Sequence, residues 1–120
     1  MATAAPTTDS AMYQTIQHQP EDLSRLLGEA AAQIREAADL VQGARRFVFT
    51  GVGTSYHAAL AGQWLFRWAG FDAVAVNSAD IWLYPEAFPL SPDDAVVVLA
   101  HTGARLSSAA ALATSLTFAS

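Results

Sequence analysis

Cysteine is absent from this sequence of 120 residues, and histidine occurs only three times. The missing thiols exclude disulfide bonds, thiolate metal sites and a cysteine nucleophile. The histidines, His18, His57 and His101, lie too far apart for the short spacings that are typical of metal ligands. We therefore expect neither a metal ion nor another cofactor.

Positive charge is also scarce. Lysine and arginine together number six against eleven acidic residues, which gives a net charge of −5. The only basic cluster, Arg45-Arg46, is too small a footprint for nucleic acid, so no nucleic-acid partner is predicted. No apolar run approaches the roughly 20 residues that span a bilayer. Because the N-terminus lacks the basic start and apolar core of a signal peptide, we expect a cytoplasmic protein with no membrane partner.

Apolar residues make up 52% of the chain, which is enough for a packed core. The length fits one small domain or a piece of one. Residues 1–11, mostly Ala, Thr, Pro and Ser, are expected to form a disordered tail. Residues 12–45 are expected to form an N-terminal helical segment. Within it, Pro20 is predicted to open a single helix that runs with one apolar stripe to Val41 and stops at Gly43.

From residue 46 the pattern alternates between strands and helices. Strands are predicted at 46–50, 73–76 and 95–100, with helices at 55–69, 78–84 and 106–118. This order predicts an α/β fold with three layers (α/β/α), in which a parallel sheet has the flavodoxin-like strand order 2-1-3. Three strands are few for this architecture, and the last helix stops abruptly. Residues 46–120 are therefore interpreted as a partial domain, truncated after the third strand and its helix.

The helix predicted at 55–69 carries large apolar residues that we expect to be buried. Its core face is predicted to hold Ala58, Ala59, Leu65, Phe66 and Trp68, with Ala58 and Gly62 allowing close approach to the sheet. The three tryptophans at 64, 68 and 82 are expected to lie in the core or in an interface.

The stretch Gly51-Val52-Gly53-Thr54-Ser55 connects the first strand to that helix. Gly51 and Gly53 allow positive φ and close approach of the backbone to a ligand. The first helical turn offers unpaired N–H groups and a partial positive charge, and Thr54 and Ser55 add two hydroxyls. This pattern indicates a phosphate-binding loop. By itself it fits equally well a plain strand-to-helix turn with Ser55 as the N-cap.

The loop after the third strand, His101-Thr102-Gly103, has a similar composition. In the order 2-1-3 the first and third strands are neighbours, and their carboxyl ends meet at one edge of the sheet. We therefore expect this loop to lie beside Gly53-Thr54-Ser55, so that both converge on one anion.

Three stretches resemble the sugar isomerase (SIS) domain family. Phe49-Thr50-Gly51-Val52-Gly53-Thr54-Ser55-Tyr56-His57-Ala58 is similar to its first loop, and Val97 to Gly103 is similar to its second phosphosugar loop. Met12 to Pro20 resembles the segment that opens the isomerase half of glucosamine-6-phosphate synthase. The chain departs from the family at Ala100, where a serine is usual, and at Ala104-Arg105, where Glu-Thr is common.

The resemblance implies a sugar-phosphate-binding domain from an isomerase, aminotransferase or deaminase of amino sugar metabolism. The implied substrate is fructose 6-phosphate or glucosamine 6-phosphate. The implied assembly is a homodimer of the full-length protein. The implied phosphosugar-binding residues are Gly53, Thr54, Ser55, His101, Thr102 and Gly103. A non-catalytic sugar-phosphate-sensing module and an inactive truncated fragment are the alternatives. Whether the chain is an enzyme stays open, because no acid/base pair is visible in it; His57 is expected to pack, and Asp80 and Glu86 are weak candidates.

Overall fold

The computed structural model describes residues 10–101. Within them lie the helices α1 (Ala11–Gly28), α2 (Ala31–Val41), α3 (Thr54–Trp68) and α4 (Ser78–Leu83), a 3₁₀ turn (Pro85–Ala87), and the strands β1 (Arg46–Gly51), β2 (Ala73–Asn77) and β3 (Asp94–Val98). The chain divides into two compact units, Met1–Gln42 and Gly43–Ser120. Most of the predicted tail and all of the predicted helix 106–118 lie outside the described residues. No helix between residues 10 and 101 is both long and apolar enough to cross a membrane.

The first unit contains two helices, so the prediction of one helix from Pro20 to Val41 was wrong. Helix α1 begins earlier because the Ser10 hydroxyl accepts the Tyr13 N–H at 3.2 Å and caps the first turn. Pro20 consequently lies inside α1. The helix ends at Gly28, and α2 starts at Ala31. Neither helix has a buried residue in the described part of the chain.

The second unit is built on a parallel sheet with the order β2-β1-β3, which confirms the predicted topology. Strand β1 is central, and every residue from Phe47 to Gly51 is buried. Its register places Val48 opposite Val74 of β2 and Val96 of β3. A central strand covered on both faces needs apolar side chains on both, which explains its continuous apolar pattern.

The two faces of the sheet are covered by different helices. On one face, Val48 packs with Ile81 of α4 and with Leu90. On the other, Phe47 and Phe49 pack against Phe66 of α3, with ring centroids 4.8 and 4.9 Å apart. Successive side chains of a strand point to opposite faces, so α3 and α4 lie on opposite sides of the sheet. The three-layer α/β/α arrangement is thereby confirmed.

The predicted core face of α3 was wrong in part. The residues that α3 buries are Ala59 and Gln63. Gly62 lies against Phe49, since a Cβ added to Gly62 would come within 2.9 Å of that ring. Leu65 and Trp68, which were expected on the core face, are 63% and 89% exposed. Trp64 and, in α4, Trp82 are 65% and 47% exposed, so none of the three tryptophans lies in the core, and their predicted place in an interface stays a prediction. Ala58 is also exposed. Close packing at Gly62, rather than burial of the bulkiest side chains, sets the orientation of α3.

An ion-pair cluster joins β1 to β3 at the amino edge of the sheet. Arg45 and Arg46 donate to the two carboxylate oxygens of Asp94 at 2.7 and 2.6 Å, and the Ser91 N–H donates to the same carboxylate at 3.0 Å. Burial by itself would raise the pKa of Asp94. The hydrogen bonds from Arg46 and Ser91 and the charges of both arginines outweigh burial, and the pKa lies below its ordinary value.

Candidate functional site

The loop between β1 and α3 turns sharply, and its two glycines have different roles. Gly53 has a φ of 60°, a conformation that favours glycine, and it is the N-cap of α3. Gly51 does not have positive φ, contrary to one expectation for it. A Cβ at Gly51 would lie 2.7 Å from the carbonyl carbon of Ser55. Gly51 therefore allows the first turn of α3 to pack directly on the end of β1.

The first turn of α3 has the features of an anion-binding helix terminus. No side chain caps it, and it contains no acidic residue. In the described part of the chain, the Gly53 and Thr54 N–H groups donate to no acceptor, whereas the Ser55 N–H donates to Val52 at 3.2 Å. The N-cap of α3 is Gly53, so the assignment of that position to Ser55 was wrong. The first turn therefore contributes no carboxylate of its own that would offset the partial positive charge of the helix terminus.

The loop after β3 leaves the sheet at the same edge. Strand β3 ends at Val98, two residues before the predicted end, but the Leu99 N–H still donates to the carbonyl of Thr50 at 2.8 Å. Ala100 and His101 follow and are exposed. The structure thus brings His101 to the edge where Gly53, Thr54 and Ser55 lie. The other two predicted site residues, Thr102 and Gly103, lie outside the described residues.

A buried hydroxyl pair next to the loop was missed in the sequence. Thr50, the residue before Gly51, and Ser78, the first residue of α4, are both fully buried, with Oγ1 and Oγ 3.0 Å apart. This bond connects the end of β1 to the start of α4. The sequence did contain a signal for this pair: Thr50 and Ser78 lie at the carboxyl ends of two strands that were predicted to be neighbours.

The candidate acid/base residues do not form a pair in the described part of the chain. His57 is exposed rather than packed, which corrects the expectation for it. Asp80 in α4 and Glu86 in the 3₁₀ turn are also exposed. Among residues 10–101 no side-chain hydrogen bond joins any of these three to another side chain.

Comparison with known proteins gives relatives along most of the chain. The chain is 30% identical over 93 residues to the isomerizing glutamine–fructose-6-phosphate aminotransferase of Pyrobaculum aerophilum, covering 77% of this chain and 15% of that protein. The enzyme of the same name from Pyrococcus horikoshii is 28% identical, covering 84% and 17%. An uncharacterized helix-turn-helix-type transcriptional regulator of Escherichia coli is 29% identical, covering 80% and 30%.

A solved structure shares the fold. The tagatose-6-phosphate ketose/aldose isomerase from Escherichia coli superposes with a TM-score of 0.77 at 25% identity, covering 98% of this chain and 34% of that one. The chain therefore spans between 15% and 34% of the length of these proteins. The SIS domain model matches residues 40–117, which include the whole sheet and the loop at Gly53. With this match over more than half of its length, the chain belongs to the SIS domain family.

Proposed function

We propose that this chain supplies the phosphate-binding part of a SIS domain that binds a ketohexose 6-phosphate. The observation that carries the proposal is the first turn of α3. It has positive φ at Gly53, two hydroxyls at Thr54 and Ser55, and no cap or carboxylate of its own. Such a terminus stabilises a phosphate by hydrogen bonds and by the helix dipole. With a net charge of −5, the chain has to attract the anion locally.

In this proposal each loop has a role. The N–H groups of Gly53 and Thr54 and the hydroxyls of Thr54 and Ser55 bind the phosphate. His101, Thr102 and Gly103 bind from the neighbouring loop. Ala100 contributes no hydroxyl, so the first loop carries most of the phosphate binding.

The names of the relatives support the choice of sugar. The two aminotransferase relatives are named for fructose 6-phosphate, and the structural neighbour is named for tagatose 6-phosphate. Both are ketohexoses with a phosphate on carbon 6. We propose fructose 6-phosphate as the ligand, with glucosamine 6-phosphate as its amino counterpart. Isomerisation or amino transfer requires a base near the sugar carbons, and in this proposal the base comes from outside residues 10–101. A homodimeric full-length protein and a cytoplasmic location stay predictions, as do the boundaries at residues 12 and 46.

A thermal melt of the purified chain with and without fructose 6-phosphate tests the binding. Ligand at about 100 times its dissociation constant should stabilise the folded state by about 2.7 kcal/mol. The double variant Thr54→Ala/Ser55→Ala should melt cooperatively and lose the shift. The matched control Thr15→Ala/Ser24→Ala removes the same two hydroxyl types from exposed positions of α1. It should keep the full ligand-induced shift in melting temperature. A cooperative melt of the wild type with no shift at saturating sugar phosphate contradicts the proposal.

The similarity to a transcriptional regulator favours a second candidate, a sensing module that binds the same ligand without converting it. The two candidates differ in turnover. Full-length protein incubated with fructose 6-phosphate, with and without an amino donor, should form an aldose or amino sugar phosphate if it is an enzyme. Ligand-induced stabilisation with no product over many enzyme equivalents would favour the sensing module.

A further inference from the structure

The outer edge of β2 is covered by two side chains of α3. In a sheet, an edge strand exposes a row of N–H and C=O groups that can pair with another strand. Among residues 10–101, β2 pairs with β1 alone. The Asp72 carbonyl accepts the Phe47 N–H at 2.8 Å, so it faces β1. The N–H and C=O groups of successive residues in a strand point in alternating directions. Those of Ala73 and Ala75 therefore point away from β1, toward the open edge of the sheet.

Both outward groups have side-chain partners. The Ala75 N–H donates to Gln63 Oε1 at 2.7 Å, and Arg67 Nε donates to the Ala73 carbonyl at 2.6 Å. Gln63 and Arg67 are four residues apart and share one face of α3. They supply one acceptor and one donor to successive outward groups of β2, as a neighbouring strand would. We propose that Gln63 and Arg67 close the β2 edge of the sheet to any additional strand.

The packing of α3 places these two side chains correctly. Gly62 lets the helix approach Phe49 closely, which brings the next residue, Gln63, to the edge of the sheet. Gln63 is only 9% exposed, so its amide is a buried polar group that requires a partner. The guanidinium of Arg67 also lies 5.9 Å from the Trp64 ring centroid. This contact gives the exposed Trp64 a role in holding Arg67 over the strand.

The other edge of the sheet has no such cover in the described residues. The Leu99 N–H donates to Thr50 of β1, so the backbone groups of Leu99 face β1. Because these groups alternate in direction along a strand, the N–H and C=O groups of Val96 and Val98 point away from β1. No side chain between residues 10 and 101 donates to or accepts from the backbone of Val96 or Val98. The difference between the edges argues that the contacts at β2 are a specific feature of this fold.

Amide hydrogen exchange of the full chain tests the inference at one atom. The Ala75 amide should be protected to a similar extent as the Val76 amide, which faces β1. Gln63→Leu should speed exchange at Ala75 about tenfold, the equivalent of one hydrogen bond, and leave Val76 unchanged. Gln63→Glu keeps an acceptor oxygen and should keep the protection. Rapid exchange of Ala75 in the wild type, or equal protection in Gln63→Leu, would overturn the proposal.

Self-association tests the consequence for the whole edge. Gln63→Leu/Arg67→Met should form thioflavin-binding or sedimenting assemblies faster than the wild type. The control Gln33→Leu/Arg35→Met makes the same chemical changes at exposed positions of α2 and should behave as the wild type does. Equal association of the two double variants would count against the closed edge. If Gln63→Leu/Arg67→Met does not melt cooperatively, the exchange rate of the Ala75 amide in Gln63→Leu decides.

Discussion

Gly51→Ala tests how closely the first turn of α3 must pack on β1. The new methyl group would lie 2.7 Å from the Ser55 carbonyl carbon and 2.8 Å from the Ser55 Cβ and carbonyl oxygen. Contacts shorter than 3.4 Å are already tight, so the shortfall is 3.4 − 2.7, or about 0.7 Å. Two of the three obstructing atoms belong to the backbone and cannot rotate away. The start of α3 has to move as a unit.

Such overpacking typically costs about 1–3 kcal/mol. In a domain of this size each kcal/mol lowers the melting temperature by roughly 4 °C, so we expect a decrease of about 4–12 °C. The displacement also moves Ser55 away from its position in the loop. Gly51→Ala should therefore lose most of the stabilisation by fructose 6-phosphate even at temperatures where it is fully folded.

Gly43→Ala is the matched control for this experiment. A Cβ at Gly43 meets no atom within 4 Å, and Gly43 does not have positive φ. A compatible glycine-to-alanine change stabilises by up to about 1 kcal/mol, so its melting temperature should stay the same or rise slightly. Far-UV circular dichroism melts of the three proteins measure the difference. If Gly51→Ala and Gly43→Ala unfold at the same temperature, the inferred close packing of Ser55 on β1 is wrong.

Two further predictions concern buried polar groups. Because the pKa of Asp94 in the folded state lies below its ordinary value of 3.8, its stabilising effect is present above that value and is lost as the pH falls through the lowered pKa. Urea unfolding from about pH 5 downward should therefore show a decline in stability that is smaller in Asp94→Asn. Thr50→Val keeps the side-chain shape but leaves the Ser78 hydroxyl without its partner, which should cost about 1–3 kcal/mol in chemical unfolding. Adding Ser78→Ala should recover part of that loss, and strictly additive effects in the double-mutant cycle would show that the bond is not energetically significant.

The sheet was predictable from sequence because its strands are apolar on both faces. Buried parallel strands give short continuous apolar runs, such as Phe47-Val48-Phe49, and the intervening helices fix the parallel direction. The order 2-1-3, taken from flavodoxin-like folds, correctly placed the carboxyl ends of β1 and β3, and with them Gly53 and His101, at one edge. Of the candidate site, the positive φ of Gly53 was predictable from its residue type. The role of Gly51, which lets the first turn of α3 pack on the end of β1, was not predictable, because it depends on the distance to Ser55.

The helices were less predictable, for two physical reasons. Apolar residues occur all round α3, so periodicity could not identify the buried side, and the contact between Gly62 and Phe49 decided it. Gln63 was not among the residues predicted for the core face, because its partner, the Ala75 N–H, lies in another element. In the first unit, α1 is capped by Ser10 and ends at Gly28, both residue types that are typical of helix ends, whereas the prediction started the helix at Pro20.

The position of β1 in the middle of the sheet has a consequence for synthesis on the ribosome. The central strand is made before either neighbour, and the residues that join it to β3 are 48 and 49 positions apart in the chain. Until β2 and β3 emerge, Phe47-Val48-Phe49 is an exposed apolar segment of the nascent chain, the kind of segment that aggregates. Arg45 and Arg46 flank it directly, and charged residues in that position act as gatekeepers. We expect the same two arginines to keep the nascent strand soluble first and later, through Asp94, to fix the strand that completes the sheet around it.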